Sequence, residues 1–131
     1  MMTPVRVLVI DDDRLILKLI ELALQQLGNI AFRYALNGQH GAEVAYADPP
    51  DLILLDFDLP IMDGLDTLRQ LRANERTART PVVAVTATRR STPRCAEMID
   101  GCDAYVPKPF HVTDLRQTVR AFIGGRLGAS A

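Results

Sequence analysis

The chain has only two cysteines and two histidines, and it has no long apolar run and no excess of either charge. No apolar stretch approaches the ~18 residues of a membrane-spanning helix, so no membrane partner is expected. The N-terminal MMTPVRVLVI has neither the longer apolar region nor the small-residue cleavage site of a secretory signal. A cytoplasmic protein is therefore expected, in which Cys95 and Cys102 are reduced thiols rather than a disulfide. His40 and His111 lie far apart and in no CxxC or HExxH setting, which argues against a zinc site and reads them as surface or helix-end residues. Lys and Arg number 15 against 16 Asp and Glu, for a net charge of −1. That balance argues against a surface built for nucleic acid. GxGxxG and GxxxxGK[ST] are both missing, so no bound nucleotide is expected.

What remains is a chain of 131 residues with 48% apolar content, enough for one domain with a real core. Val5 to Ile10 and Leu52 to Leu55 are nearly unbroken apolar runs, and Val82 to Val85 is a third. Such runs predict strands buried on both faces. Ile30 to Ala35 alternates and suits an edge strand; Ala104 to Val106 is a short last one. Between them lie helical patterns. The first, Arg14 to Leu27, places Ile16, Leu19, Ile20, Ala23, Leu24 and Leu27 on one side and stops at Gly28-Asn29. The others are Gly38 to Ala47, a helix carrying Leu65, Leu68 and Leu71, one opened by Thr92-Pro93 and running to about Ile99, and one marked by Val112, Leu115, Val119 and Phe122. Residues 1–123 form the expected domain. The last eight, 124–131, have no core-forming pattern and are expected to fray.

Five strands alternating with five helices predict an α/β fold, a doubly wound parallel sheet covered on both faces. The most apolar strands belong in the middle and the alternating one at an edge. The order 2-1-3-4-5 satisfies this; it is the known order of flavodoxin-like folds and is adopted from them.

The polar residues that end the strands are the informative ones. Asp11 and Asp12 end the first, Asp56 the third, Thr86 the fourth, and Lys108 follows the fifth. In an open parallel sheet the ligand crevice lies beyond the carboxyl ends of the strands, where the winding reverses. Here that point falls between strands one and three, so Asp11, Asp12 and Asp56 should converge with Thr86 and Lys108 at the rim. Two unit charges ~4 Å apart repel by about 4 kcal/mol at an effective dielectric of 20. The cluster therefore calls for a proton or a metal. Oxygen ligands without His or Cys point to a hard ion, and Mg²⁺ suits a few carboxylates completed by water and phosphate oxygens. With no phosphate cradle, the alternative is a phosphoryl group attached covalently to an aspartate, its transfer stabilised by metal, lysine and threonine.

The ordered set VLVIDDD, DLILLDFDLPIMDG, VVAVTA and YVPKPF resembles the receiver domain of bacterial two-component response regulators, over residues 4 to 123. The resemblance implies that Asp56 is the phosphoacceptor, loaded from a histidine kinase phosphohistidine or a phosphotransfer protein. It implies Mg²⁺ held by Asp11, Asp12 and Asp56, with Asp12 the more direct of the acidic pair and Asp58 contributing its backbone carbonyl. Lys108 would pair with the phosphoryl group ahead of a cis peptide at Pro109, and Thr86 and Tyr105 would form the switch pair. The fourth helix, fifth strand and fifth helix would form the face read by a downstream protein, with Arg94, Met98, Arg116 and Arg120 as contacts; a phosphorylation-dependent dimer is a further expectation. On this reading the chain is a signalling switch rather than an enzyme. Two alternatives stand beside it: an interaction module that ignores phosphorylation, and an aspartate-nucleophile phosphatase, since LLDFD also resembles the DxD of haloacid-dehalogenase-type enzymes.

Taken singly, several of these residues have plainer readings. Asp12 and Asp13 suit a helix N-terminus. Thr86 suits a strand end, Tyr105 the core, and Cys95 and Met98 helix packing. Arg89 and Arg90 read as solvated loop charges. Asp13 exceeds the pair that the family requires, and Pro107 stiffens the segment before Lys108.

Overall fold

The computed structural model describes residues 3–87 and 92–127; Arg89 and Arg90 lie outside them. Five parallel strands stand in the order β2-β1-β3-β4-β5: β1 (Val5–Ile10), β2 (Ile30–Ala35), β3 (Leu52–Leu55), β4 (Val82–Thr86) and β5 (Ala104–Pro107). Each is followed by a helix: α1 (Arg14–Leu24), α2 (Gly38–Ala47), α3 (Gly64–Ala73), α4 (Pro93–Gly101) and α5 (Val112–Ile123). The parallel sheet is the one expected from the alternation, and its strand order is the flavodoxin-like one adopted for it.

Alternation along the central strands divides the core. Val7 and Val9 point to the side covered by Leu17, Ile20 and Leu24 of α1 and Leu115, Val119 and Ile123 of α5. Leu8 and Ile10 point to the other, against Ala45 of α2, Leu65, Leu68 and Leu71 of α3, and Met98 and Ile99 of α4. All four residues of β3 are buried. At roughly 1.5–3 kcal/mol for each large apolar side chain, the strand is anchored firmly enough to hold a charged residue at its end.

Two helix faces differ from the sequence expectation. In α1 the inward stripe is Leu17, Ile20, Ala23 and Leu24, while Leu19 is exposed; the seam is rotated because Leu17 packs on the sheet. In α5 the seam is Leu115, Val119 and Ile123, which leaves Val112 exposed. The packed body also runs past residue 123. Gly124–Arg126 form a 3-10 turn, Leu127 is buried in the α1–α5 layer, and Arg126 Nη1 reaches Asp51 Oδ1 at 2.5 Å. A buried leucine and an ion pair therefore hold the first part of the segment expected to fray.

The loop from β3 to α3 is held by its own backbone hydrogen bonds. Leu59 N–H donates to Phe57 O at 3.0 Å, and Gly64 N–H to the same oxygen at 2.8 Å. Met62 N–H donates to Pro60 O at 2.8 Å, closing a three-residue turn around Ile61. Ile61 sits at φ +73°, the one non-glycine with positive φ among the described residues. That region costs an ordinary residue about 1–2 kcal/mol, and a β-branched one fits it poorly. Gly64 has no room for a side chain: a Cβ there would lie 2.4 Å from the Asp56 carbonyl oxygen.

Candidate functional site

The strand register sets the site. Ile10 pairs with Leu55, so the next residue on each strand is an aspartate, Asp11 beside Asp56. Backbone hydrogen bonds carry the ladder one step further: Asp56 N–H to Ile10 O, Asp11 N–H to Ala35 O, and Lys108 N–H to Thr86 O, each 3.0 Å. The peptide between Lys108 and Pro109 is cis, as the resemblance implied. Four strand ends therefore stand level, and their polar residues meet over the middle of the sheet.

The three sequence-predicted carboxylates do converge. Asp11, Asp12 and Asp56 each offer an oxygen, and the three lie within 4.8 Å of one another. Asp11 and Asp56 are buried while Asp12 is exposed at the mouth. Lys108 reaches in with Nζ 2.5 Å from Asp11 Oδ2 and 3.3 Å from Asp56 Oδ2. The other oxygens are also engaged: Asp13 N–H donates to Asp11 Oδ1 at 2.9 Å, and Phe57 N–H to Asp56 Oδ1 at 2.8 Å.

Burial dominates the Asp11 carboxyl and raises its pKa; the hydrogen bonds from Lys108 and the Asp13 backbone oppose this, and the Asp56 charge adds to it. Burial alone would depress the Lys108 ammonium, but the hydrogen bond to Asp11 and the charges of Asp56 and Asp11 together outweigh it and raise its pKa. The pocket thus holds one ammonium against three carboxylates, which is a net negative site. Its donors are all oxygen, the chemistry of a hard divalent cation.

The remaining expected residues fall as follows. Asp58 is exposed on the loop after β3, and its side chain is outside the three-carboxylate group. Thr86 is fully buried at the end of β4. Tyr105 is half-buried on β5, and with Pro107, Phe110, His111, Asp114 and Gln117 it lines a groove of about 330 Å³ beside α5. Asp13 is not part of the pocket. It caps α1, its carboxylate accepting from Leu15 N–H at 2.9 Å and Ile16 N–H at 3.4 Å. Cys95 and Cys102 are both free thiols.

The expected contacts on the α4–β5–α5 face need correction. Met98 is fully buried, its sulfur packed where Gly64 leaves space. Arg94 forks onto α3, with Nε and Nη2 each 3.0 Å from an Asp63 oxygen and Nη2 3.1 Å from Asp66. Arg116 turns to α1, donating from Nε to Ala23 O at 2.7 Å and from Nη2 to Gln26 Oε1 at 2.8 Å. Arg120 is exposed.

Sequence reasoning assigned nothing to Asp63 and Gly64, which lock the loop behind Asp56. Asp63 caps α3 through Asp66 N–H at 3.0 Å. The signal was present as the Asp-Gly pair just before an apolar helical pattern.

A family model described as "Response regulator receiver domain" matches residues 7–120. The DNA-binding dual master transcriptional regulator RpaA of Synechocystis sp. is 37% identical over 118 residues, which are 90% of this chain and 48% of that protein. Response regulator MprA of Mycolicibacterium vanbaalenii is 34% identical over 120 residues, 92% of this chain and 51% of MprA. The chain thus spans about half the length of these curated relatives. Among solved structures, the receiver domain of sensor histidine kinase PA1611 of Pseudomonas aeruginosa PAO1 has TM-score 0.84 and 28% identity, covering 93% of this chain and 99% of that one. That structure holds a magnesium ion coordinated in its active-site cleft.

Proposed function

The chain belongs to the response regulator receiver domain family, and from that premise we propose that Asp56 accepts a phosphoryl group from a phosphohistidine and that the acyl phosphate switches a protein-binding surface. The observation that carries the reading is the meeting of Asp11, Asp12 and Asp56 within 4.8 Å, with Lys108 bridging Asp11 and Asp56.

An oxygen of the Asp56 carboxylate attacks phosphorus, the P–N bond of the donor breaks, and the imidazole nitrogen leaves with the electron pair. Phe57 N–H fixes one Asp56 oxygen, so the carboxylate has a defined orientation. Lys108 already lies against the other oxygen, where it meets the negative charge of the incoming group. Asp11, Asp12 and Asp56, with the Asp58 backbone carbonyl, are the residues that would hold Mg²⁺. When bound, the ion supplies positive charge opposite the phosphoryl oxygens. Burial of Asp11 and Asp56 excludes water from the pocket floor and strengthens these contacts. Thr86 and Tyr105 serve as the switch pair, supported by their places at the end of β4 and in the half-buried layer of β5.

The phosphodonor is a histidine kinase or a phosphotransfer protein, and the downstream partner is a protein read through the α4–β5–α5 side. A dimer formed on phosphorylation belongs to the same proposal. Direct nucleic-acid contact is not part of it for these 131 residues, whose charge is nearly balanced; DNA binding is named for a relative about twice as long. A cytoplasmic setting fits the finding that no described helix is long and apolar enough to cross a membrane. The chain turns over no separate substrate and assists only its own phosphorylation and dephosphorylation.

The test is incubation with Mg²⁺ and acetyl phosphate, read by intact mass. One phosphoryl adduct is expected, lost without Mg²⁺ and lost in Asp56→Asn. No adduct, or one that persists in Asp56→Asn, defeats the reading. Steady hydrolysis of p-nitrophenyl phosphate would replace it with a phosphatase.

A further inference from the structure

Arg94 carries the wrong charge for its own helix. It lies in the first turn of α4, where the outward N–H groups favour an anion and disfavour a cation. That turn holds no acidic residue, and the Thr92 side chain gives it no capping hydrogen bond. Within α4 the arginine is the poorer choice, and its benefit lies on the neighbouring helix.

There it holds one carboxylate by both oxygens. Nε stands 3.0 Å from Asp63 Oδ2, and Nη2 stands 3.0 Å from Asp63 Oδ1. A forked contact fixes the plane of the carboxylate as well as its position. Asp63 ends the loop that follows Asp56, and it caps α3 by accepting Asp66 N–H at 3.0 Å. The next residue, Gly64, lies directly against the Asp56 carbonyl, with no room between them for a Cβ. The loop needs restraint, because Ile61, two residues before Asp63, sits at φ +73°. Backbone strain of this kind persists only where the surroundings hold it.

A second arginine joins the same two helices without touching the cap. Arg69 pairs with Asp66 at 3.6 Å and with Glu97 of α4, and among the described residues it makes no ion pair with Asp63. The Arg94 and Arg69 side chains are 48% and 53% exposed. Pairs so open to water add little stability. What separates the two arginines is the residue they hold.

We propose that Arg94 is a positioning residue for phosphoryl transfer, which acts through Asp63 to hold the loop behind Asp56 in its receptive shape. This rests on the phosphoacceptor reading given above. Arg69 fastens α3 to α4 and leaves that loop alone.

The experiment compares the unsubstituted chain with Arg94→Gln, Arg94→Lys and Arg69→Gln. Labelling by acetyl phosphate is followed by intact mass over a range of donor concentrations at saturating Mg²⁺. Backbone hydrogen exchange of residues 57–66 is measured on the same proteins without donor. Arg94→Gln should lower the maximal labelling rate about fivefold at unchanged KM, the effect of a misplaced acceptor, and exchange in 57–66 should speed up. Arg94→Lys, which keeps the charge but not the fork, should fall between. Arg69→Gln removes the same charge from the same pair of helices and should leave both readouts unchanged. Equal slowing in Arg94→Gln and Arg69→Gln overturns the proposal, because general fastening of the helices would then be enough. A change in KM alone overturns it, since that is the mark of a surface charge acting on an anionic donor. Slower labelling with unaltered exchange in 57–66 also overturns it. An unsubstituted chain that takes no phosphoryl group removes the phosphoacceptor reading and this proposal together, whereas labelling indifferent to Arg94 removes the proposal alone.

Discussion

The ammonium of Lys108 lies 2.5 Å from Asp11 Oδ2, with the two side chains 13% and 3% exposed. This pair joins the end of β5 to the end of β1 and is the only cation held against the carboxylates among the described residues. Replacing Lys108 with Met leaves Asp11 and Asp56 facing each other without compensation. The expected loss is about 2–3 kcal/mol, because a buried charge is stranded rather than a surface pair removed. Mg²⁺ should restore more stability to Lys108→Met than it adds to the unsubstituted chain, since a ligand of the folded state stabilises by mass action and the vacated pocket is more negative. Urea unfolding with and without Mg²⁺ measures both effects; an equal Mg²⁺ response in the two proteins contradicts the account.

Adjacent acids should behave oppositely. Asp13 caps α1 and lies outside the pocket, so Asp13→Ala costs about 1 kcal/mol and leaves acetyl phosphate labelling intact. Asp12 is exposed at the pocket mouth, so Asp12→Ala costs little stability or adds some by relieving repulsion, and it weakens the Mg²⁺ dependence of labelling. Thermal melts and intact mass on the two variants separate the roles. Loss of labelling in Asp13→Ala with full labelling in Asp12→Ala would reverse the assignment.

The strands and the pocket were legible because their signals are local. Unbroken apolar runs such as Leu52–Leu55 mark buried parallel strands, and the register then brings the residues that end them into one place. What failed to show was direction. The three adjacent aspartates were the exception: Asp11 and Asp12, expected in the pocket, meet Asp56 there, and Asp13, beyond the required pair, caps α1. Met98 was expected on the α4 face by the resemblance and in helix packing by its plainer reading; the second holds, because Gly64, on a helix far away in sequence, leaves a gap for its sulfur. Arg116 could have faced either neighbour of α5, and the carbonyl of Ala23 at the end of α1 settles it. Such choices depend on the partner element, which no window of sequence contains.

Gly64 should tolerate no side chain. A Cβ there would stand 2.4 Å from the Asp56 carbonyl oxygen, 2.4 Å from Met98 Sδ and 2.7 Å from Phe57 Cα. Met98 can move, but the two backbone atoms cannot without shifting Asp56 itself. Gly64→Ala should therefore cost about 3 kcal/mol and also slow labelling by acetyl phosphate. Gly125→Ala is the matched control, because nothing lies within 4 Å of a Cβ there. Unfolding midpoints and labelling rates for both test it; a Gly64→Ala protein that is as stable and as fast as the control would show that the backbone yields.

The last prediction concerns alkaline pH. Burial pushes the Cys102 thiol up to about 12, with Arg72 opposing and Asp103 and Cys95 adding to it. In the unfolded chain a cysteine ionises near ~8.5. Between these values the unfolded state has released a proton that the folded state keeps, so stability falls as pH rises. The contribution is fully present below the unfolded pKa and is lost as pH climbs toward the folded one. From pH 9 to 10 the unsubstituted chain should lose about 1 kcal/mol more than Cys102→Ala, just under the limiting slope for one proton. Lys108 adds a separate loss that starts higher, because its raised pKa in the folded state keeps the ammonium charged past the ordinary lysine range. Urea midpoints collected at intervals across this window for the unsubstituted chain, Cys102→Ala and Lys108→Met resolve the two. Parallel curves for the unsubstituted chain and Cys102→Ala would mean that the thiol ionises as readily folded as unfolded, and that water reaches it at the C-terminal end of α4.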